Sequence, residues 1–170
     1  MWLGADEFHL VWKRLKGNFI LSARAQFIGK GVEPHRKIGW IVRSSLESNS
    51  PHVTAVVHGD GRTSLQFRRS SGANTEEKIF TITGADTLQL ERKGDTYIAS
   101  MARFGDTLAS EQIADLAVAW GRLEDAPGLV HVAVVSCQVV EHDGYRCERH
   151  AAIVGLREPK NLCRFSPMCG

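Results

Sequence analysis

The first 136 residues of this 170-residue chain contain no cysteine; Cys137, Cys147, Cys163 and Cys169 all come after them. Their spacings of ten, sixteen and six residues match no common zinc pattern, so no metal site is expected. No apolar run approaches the roughly 18 residues that a membrane-spanning helix needs. Asp6, Glu7 and His9 interrupt the start, where an export signal requires an unbroken apolar core, so no such signal is read there. Trp2 and Leu3 arrive with no lead-in, as in a domain that begins upstream of Met1. An excess of one charge is missing too, and a net charge of +2 is too small to argue for nucleic acid. The chain has no Walker loop, no G-x-G-x-x-G, no G-x-S-x-G elbow and no H-E-x-x-H pair. The βαβ rhythm of nucleotide folds is missing as well, and no cofactor is implied.

What is present reads as strands. The apolar fraction of 43% and charged fraction of 24% are ordinary for a globular chain, and the length suits one buried core. Phe8, Leu10 and Trp12 alternate with His9, Val11 and Lys13. After the turn at Lys16-Gly17-Asn18, Phe19, Leu21, Ala23, Ala25 and Phe27 face one way, with Ser22, Arg24 and Gln26 opposite, the period of a half-buried strand. Lys37 to Ser45 is a third strand with Ile38, Trp40 and Val42 on one side. His52 to His58 and Thr63 to Arg69 form a hairpin through Gly59-Asp60-Gly61. Ile79 to Ile82 is a short strand, and Leu88 to Arg92 pairs with Thr96 to Ala102 through Lys93-Gly94-Asp95. Short strands joined by Gly/Asp turns predict an all-β antiparallel sandwich. After Gly105 the pattern changes. SEQIADLAVAW predicts a short helix over Ser110–Trp120, with Ser110 as cap and Ile113, Leu116, Ala117 and Trp120 on one face. Gly128 to Val140 reads as one buried strand, and the rest has no sustained period. The domain boundaries expected are a sandwich over 1–136 and an irregular tail over 137–170.

Between Glu33 and Arg68, charged and imidazole side chains interrupt otherwise apolar strands, and Arg43, His58 and Gln66 stand where a plain core would hold Val or Leu. Residues two apart on a strand share a face, so these three sit opposite Trp40, Val42, Val57, Leu65 and Phe67. The candidate ligand-binding set is Glu33, His35 and Arg36 on the loop before the third strand, with Arg43, His58, Asp60, Gln66 and Arg92. Tyr97 or Trp12 supplies an aromatic for a sugar ring face. Each has a plainer reading. Arg43 forms an ion pair with Glu33 or Glu91, His58 is a satisfied hairpin histidine, Asp60 supplies turn geometry, and Trp12 and Trp40 are core.

The segments DEFHLVWKRLKGNFILSA, FIGKGVEPHRKIGWIVRSSL, HVTAVVHGDGRTSLQFR and LQLERKGDTYIASMA, spanning Asp6 to Arg103, resemble the concanavalin A-like lectin/glucanase sandwich module of the regulation-of-enolase-like family. The nearer likeness is to bacterial proteins labelled TolB-like or biopolymer transporter. The resemblance implies a two-sheet jelly roll with a concave face that receives glycan, in a periplasmic or secreted setting, and it implies no particular chemistry. The likeness stops in the last third. There the chain reads VHVAVVSCQVVEHDGYRCERH where the family carries its closing strands, the pattern an out-of-frame tail would leave. The E-x-D-x-x-E string of the fold's glucanase relatives is missing, and Glu91 stands alone beside Arg92 and Lys93, so no catalytic residue is assigned. The function expected is a non-catalytic module binding carbohydrate on a polar face. The alternatives are an accessory module packing on a neighbouring domain such as a β-propeller, and a glycoside-acting enzyme of unknown reaction.

Overall fold

Eleven strands alternate with turns along the described chain. The computed structural model describes residues 2–6, 9–27, 34–113, 129–137 and 151–156. The strands are β1 (His9–Lys16), β2 (Phe19–Phe27), β3 (Lys37–Arg43), β4 (His52–His58), β5 (Arg62–Arg68), β6 (Glu76–Thr83), β7 (Thr87–Lys93), β8 (Thr96–Ala102), β9 (Ala109–Ile113), β10 (Leu129–Cys137) and β11 (Ala151–Leu156). They make two antiparallel sheets, here called A and B. Sheet A runs β1-β10-β3-β4-β5-β6 and sheet B runs β11-β2-β7-β8-β9. Among the described residues the fold is an all-β sandwich of the jelly-roll kind, with no helix.

Alternation places the core. Ile38, Trp40 and Val42 of β3, Val53, Ala55 and Val57 of β4, and Leu65 and Phe67 of β5 form the inner face of sheet A. They pack on Leu21, Ala23 and Ala25 of β2, Leu88 and Leu90 of β7, and Tyr97, Ala99 and Met101 of β8. The Trp40 indole crosses the interior and donates from Nε1 to the Leu88 carbonyl at 3.3 Å, so its one polar atom is paired where it is buried. Turn chemistry sets the hairpin registers. Gly61 at φ +89° and Gly94 at φ +60° adopt the left-handed conformation that lets β4 turn into β5 and β7 into β8.

Three expectations change. Ser110 to Ile113 lie in β9, paired with β8 from Tyr97↔Ile113 to Met101↔Ala109, instead of opening a helix; residues 114–120 lie outside the described residues. The cap and spacing suit a helix, but the open edge of β8 offers a ladder of hydrogen bonds, and tertiary pairing overrides local propensity. The tail, read as irregular, contributes β11, which pairs with β2 from Ala151↔Phe27 to Leu156↔Ala23. Trp12, read as core, is 37% exposed on β1. The register Trp12↔Ala133↔Ile41↔Thr54↔Gln66 puts it on the outer face of sheet A.

Candidate functional site

The outer face of sheet A is polar at its centre, and its polar groups are buried. Lys37, Arg43, His52, Thr54, His58, Ser64, Gln66 and Arg68 are all nearly inaccessible, although they sit on the side of the sheet away from the core. Charged side chains are almost never fully buried without partners. The face accordingly resolves into two hydrogen-bonded clusters.

The first is ionic. Asp6, from the segment before β1, accepts from Arg43 Nη1 at 2.5 Å and Arg68 Nη1 at 3.0 Å on Oδ2, and from Arg68 Nη2 at 2.7 Å on Oδ1. The two arginines flank His52 in register, as Arg43↔His52 and His52↔Arg68. Both also donate to loop carbonyls. Arg43 reaches Ser45 O at 3.3 Å and Glu47 O at 2.6 Å, while Arg68 reaches Ala73 O at 2.8 Å, Ser50 O at 3.1 Å and Leu3 O at 2.6 Å. Burial alone would raise the Asp6 pKa, but the Arg68 hydrogen bonds and the surrounding cations outweigh it and hold the carboxyl below its usual range. His52 bonds Thr54 Oγ1 at 3.0 Å and Thr75 Oγ1 at 3.4 Å. Burial, with Arg68 and Arg43 adding repulsion against the pull of Asp6, pushes its pKa down to about 3, so it is neutral at pH 7.

The second cluster sits toward the other end of the strands. Lys37 Nζ donates to Gln66 Oε1 at 3.1 Å, and Gln66 Nε2 donates to Glu77 Oε1 at 2.8 Å. His58, opposite Lys37 in register, takes an Arg62 Nη2 hydrogen on Nδ1 at 3.3 Å. Its other nitrogen, Nε2, lies 3.3 Å from Gln66 Nε2, 3.4 Å from Ser64 Oγ and 3.9 Å from Glu77 Oε1. Burial, then Lys37 and Arg62, push the His58 pKa down to about 4 despite Glu77, so the imidazole is uncharged at neutral pH. Lys37 Nζ also stands 5.2 Å from the centroid of the Trp2 ring, whose residue is 42% exposed. One face thus gathers an ammonium, a neutral imidazole, an amide, a hydroxyl and a carboxylate, most of them buried, with partly open indoles at Trp2 and Trp12.

The sequence-predicted set divides accordingly. Arg43, His58 and Gln66 share this face, as their parity implied. Arg43 pairs with Asp6 in the described cluster. Glu33 lies outside the described residues. Asp60 tips the β4–β5 hairpin, where Oδ1 accepts the Arg62 backbone N–H at 2.9 Å, the turn role foreseen for it. His35 is exposed before β3, while Arg36 is buried with its guanidinium 4.4 Å from the Phe27 ring centroid, on the core side of the strand. Arg92 and Tyr97 are not on the polar face at all. They oppose each other on β7 and β8 of sheet B, both buried, with Tyr97 in the core and its phenol pKa pushed up to about 12 by burial. Even spacing from Leu88 and Leu90 puts Arg92 on the inward side, and this alternation was readable in the sequence. Asp6, His52 and Glu77 were not singled out. Parity alone marks His52, whereas Asp6 has no local signal because its partners lie 37 and 62 residues away.

No protein-family model matches the chain, and no curated protein does. Solved structures do match. A family 7 alginate lyase, A1-II′, in complex with its product, aligns at 16% identity and TM-score 0.42 over 80% of this chain. A scytalido-glutamic peptidase with a peptide-based transition-state analogue aligns at 12% identity and TM-score 0.40 over 88% of this chain and 76% of its own. The chain spans 57% of the lyase. Among the described residues no helix is long and apolar enough to cross a membrane.

Proposed function

We propose that the outer face of sheet A binds glycan. The observation that carries this reading is the pair of partly exposed indoles, Trp2 and Trp12, on a face where Arg62 and Glu77 remain partly open beside the buried Lys37 and Gln66. Sugars present vicinal hydroxyls that both donate and accept, and a C–H face that stacks on an aromatic ring. The Arg62 guanidinium and the Glu77 carboxylate, both reachable from solvent, meet the first need, and an indole meets the second. Trp12 lies in the same cross-strand row as Gln66, four strand spacings or about 19 Å away, enough to span an oligosaccharide. The likeness of Asp6 to Arg103 to the regulation-of-enolase-like lectin/glucanase module, and to TolB-like bacterial proteins, supports the same reading and a periplasmic or secreted setting. The module acts by binding, and no residue is assigned to catalysis.

A glycan array with the purified protein, followed by titration of the best binder, tests this. Trp2→Ala and Trp12→Ala are each expected to weaken binding about tenfold, the loss that follows from one good stacking contact. A blank array, or affinity unchanged in both variants, would end the reading.

A further inference from the structure

Four arginines are buried among the described residues, and three of them are hydrogen-bonded. Arg43 and Arg68 donate to Asp6 and to loop carbonyls, and Arg92 donates from Nε to Gly94 O at 3.2 Å. Arg36 differs. It is 8% exposed, and its Nε and Nη1 are inaccessible and have no hydrogen-bond partner. No carboxylate of the described residues pairs with it. Its guanidinium lies instead over the Phe27 ring, 4.4 Å from the centroid.

The surroundings hold this residue in place. Gly59 N–H donates to Arg36 O at 2.8 Å and Asp60 N–H to Pro34 O at 3.1 Å, so the β4–β5 hairpin grips the backbone that carries it. Even spacing from Ile38 and Trp40 turns Arg36 to the core side, at the end of the sandwich where β2 finishes with Phe27, while Lys37 points to the outer face of sheet A. The aspartates of the neighbouring turns are engaged elsewhere. Asp60 Oδ1 accepts the Arg62 backbone N–H at 2.9 Å. Asp86, which follows the turn that Gly84 N–H ties to Gly61 O, pairs with Arg24 and accepts from the Thr87 hydroxyl. A ring face attracts the cation but cannot accept its in-plane N–H hydrogens. A guanidinium stripped of water and left without acceptors is destabilising until something supplies them.

We infer that Arg36 is an anion site: a small oxyanion, a carboxylate or a phosphate, lies in the plane of its guanidinium at this end of the sandwich and accepts from its unpaired N–H groups. The planar fork matches either group, and the Phe27 ring fixes its orientation before the ion arrives. The site lies apart from Trp2 and Trp12, and it stands whether or not the outer face of sheet A takes sugar.

Thermal unfolding of the full chain in sodium acetate, sodium phosphate or sodium chloride at equal ionic strength tests this. One oxyanion, at about ten times its Kd, is expected to raise the Tm by about 3 °C over chloride. The larger rise in acetate identifies a carboxylate ligand, and in phosphate a phosphate ligand. Arg36→Met keeps an apolar stem over Phe27 and removes the cation, so it is expected to lose this response. Effects of the salts on the rest of the surface persist in that variant and cancel in the comparison. A second readout needs no variant: in wild type labelled with nitrogen-15 arginine, the Arg36 Nε–H resonance is expected to shift and saturate with the same ion. Equal Tm in all three salts, a rise retained by Arg36→Met, or an Arg36 resonance that does not respond would each overturn the proposal. If Arg36→Met does not fold, the resonance decides.

Discussion

Strand β7 of sheet B alternates between covered and more open positions, whereas β3 and β4 of sheet A are covered at every residue. Each pattern has its own cause. Sheet B has one apolar face against the core and one wet face, which is what antiparallel alternation is made for. At the centre of sheet A the second face is closed by polar groups that satisfy one another, and part of the cover is the segment before β1 that carries Asp6. Burying charge in this way stabilises little by itself, because the desolvation penalty consumes most of the attraction. The contrast therefore points to a role for the polar face beyond stability. It also sets up a comparison of one residue type in two environments. Arg68 on sheet A and Arg24 on sheet B each pair with an aspartate, the first pair fully buried and the second at side-chain exposures of 45% and 33%.

Arg68→Ala should have the largest effect. It leaves Asp6 with a single partner and strands the carbonyls of Ala73, Ser50 and Leu3, so urea unfolding should show a loss of roughly 3–5 kcal/mol. A loss under about 1 kcal/mol would mean that the buried triad is as soft as a surface pair, and the two faces would no longer differ in kind.

Acid should separate the faces next. His52 and His58 both have native pKa values depressed from 6.5, to about 3 and about 4. Between pH 6.5 and 4 the unfolded chain binds protons that the native imidazoles refuse, so stability is complete above pH 6.5 and falls with pH below it. Each histidine contributes a slope that approaches about 1.4 kcal/mol per pH unit below pH 6, and the pair should cost roughly 3 kcal/mol between pH 6.5 and 5. Asp6 acts lower still: its depressed pKa gives stability that is present above 3.8 and lost as pH falls through the native value. Unfolding curves at pH 7.5, 6.5, 5.5 and 5 check this. His52→Gln should halve the slope, and a slope unaffected by that change would place the titration elsewhere.

Much of this was legible in the sequence because period two is a strong signal where one face is apolar. Leu21, Ala23 and Ala25, and Ile38, Trp40 and Val42, fell on the core as their alternation required, and Asp60 took its turn. The same parity separated Arg43, His58 and Gln66 from the core. Arg92 and Tyr97 fall elsewhere for a reason their parity contains: both face inward from sheet B. The helix expected from Ser110 shows how local propensity yields when an adjacent strand edge needs a partner. Asp6 was beyond reach, since a lone acid near a chain start gains meaning only when β3 and β5 bring two arginines to it.

Arg24→Ala carries the smallest expected effect and is the control that gives the others meaning. Its guanidinium meets Asp86 at 3.2 Å and lies 3.8 Å from the centroid of the Phe104 ring, a geometry as favourable on paper as that of the buried arginines. Water and salt reach it, however, and an exposed pair plus a cation–π contact is worth about 0–1 kcal/mol each. Urea unfolding of Arg24→Ala should therefore shift stability by about 1 kcal/mol or less, with a further drop in its contribution at high salt. A loss approaching that of Arg68→Ala would show that the open face of sheet B is energetically coupled to the rest. The division between the wet face of sheet B and the covered centre of sheet A would then have to be abandoned.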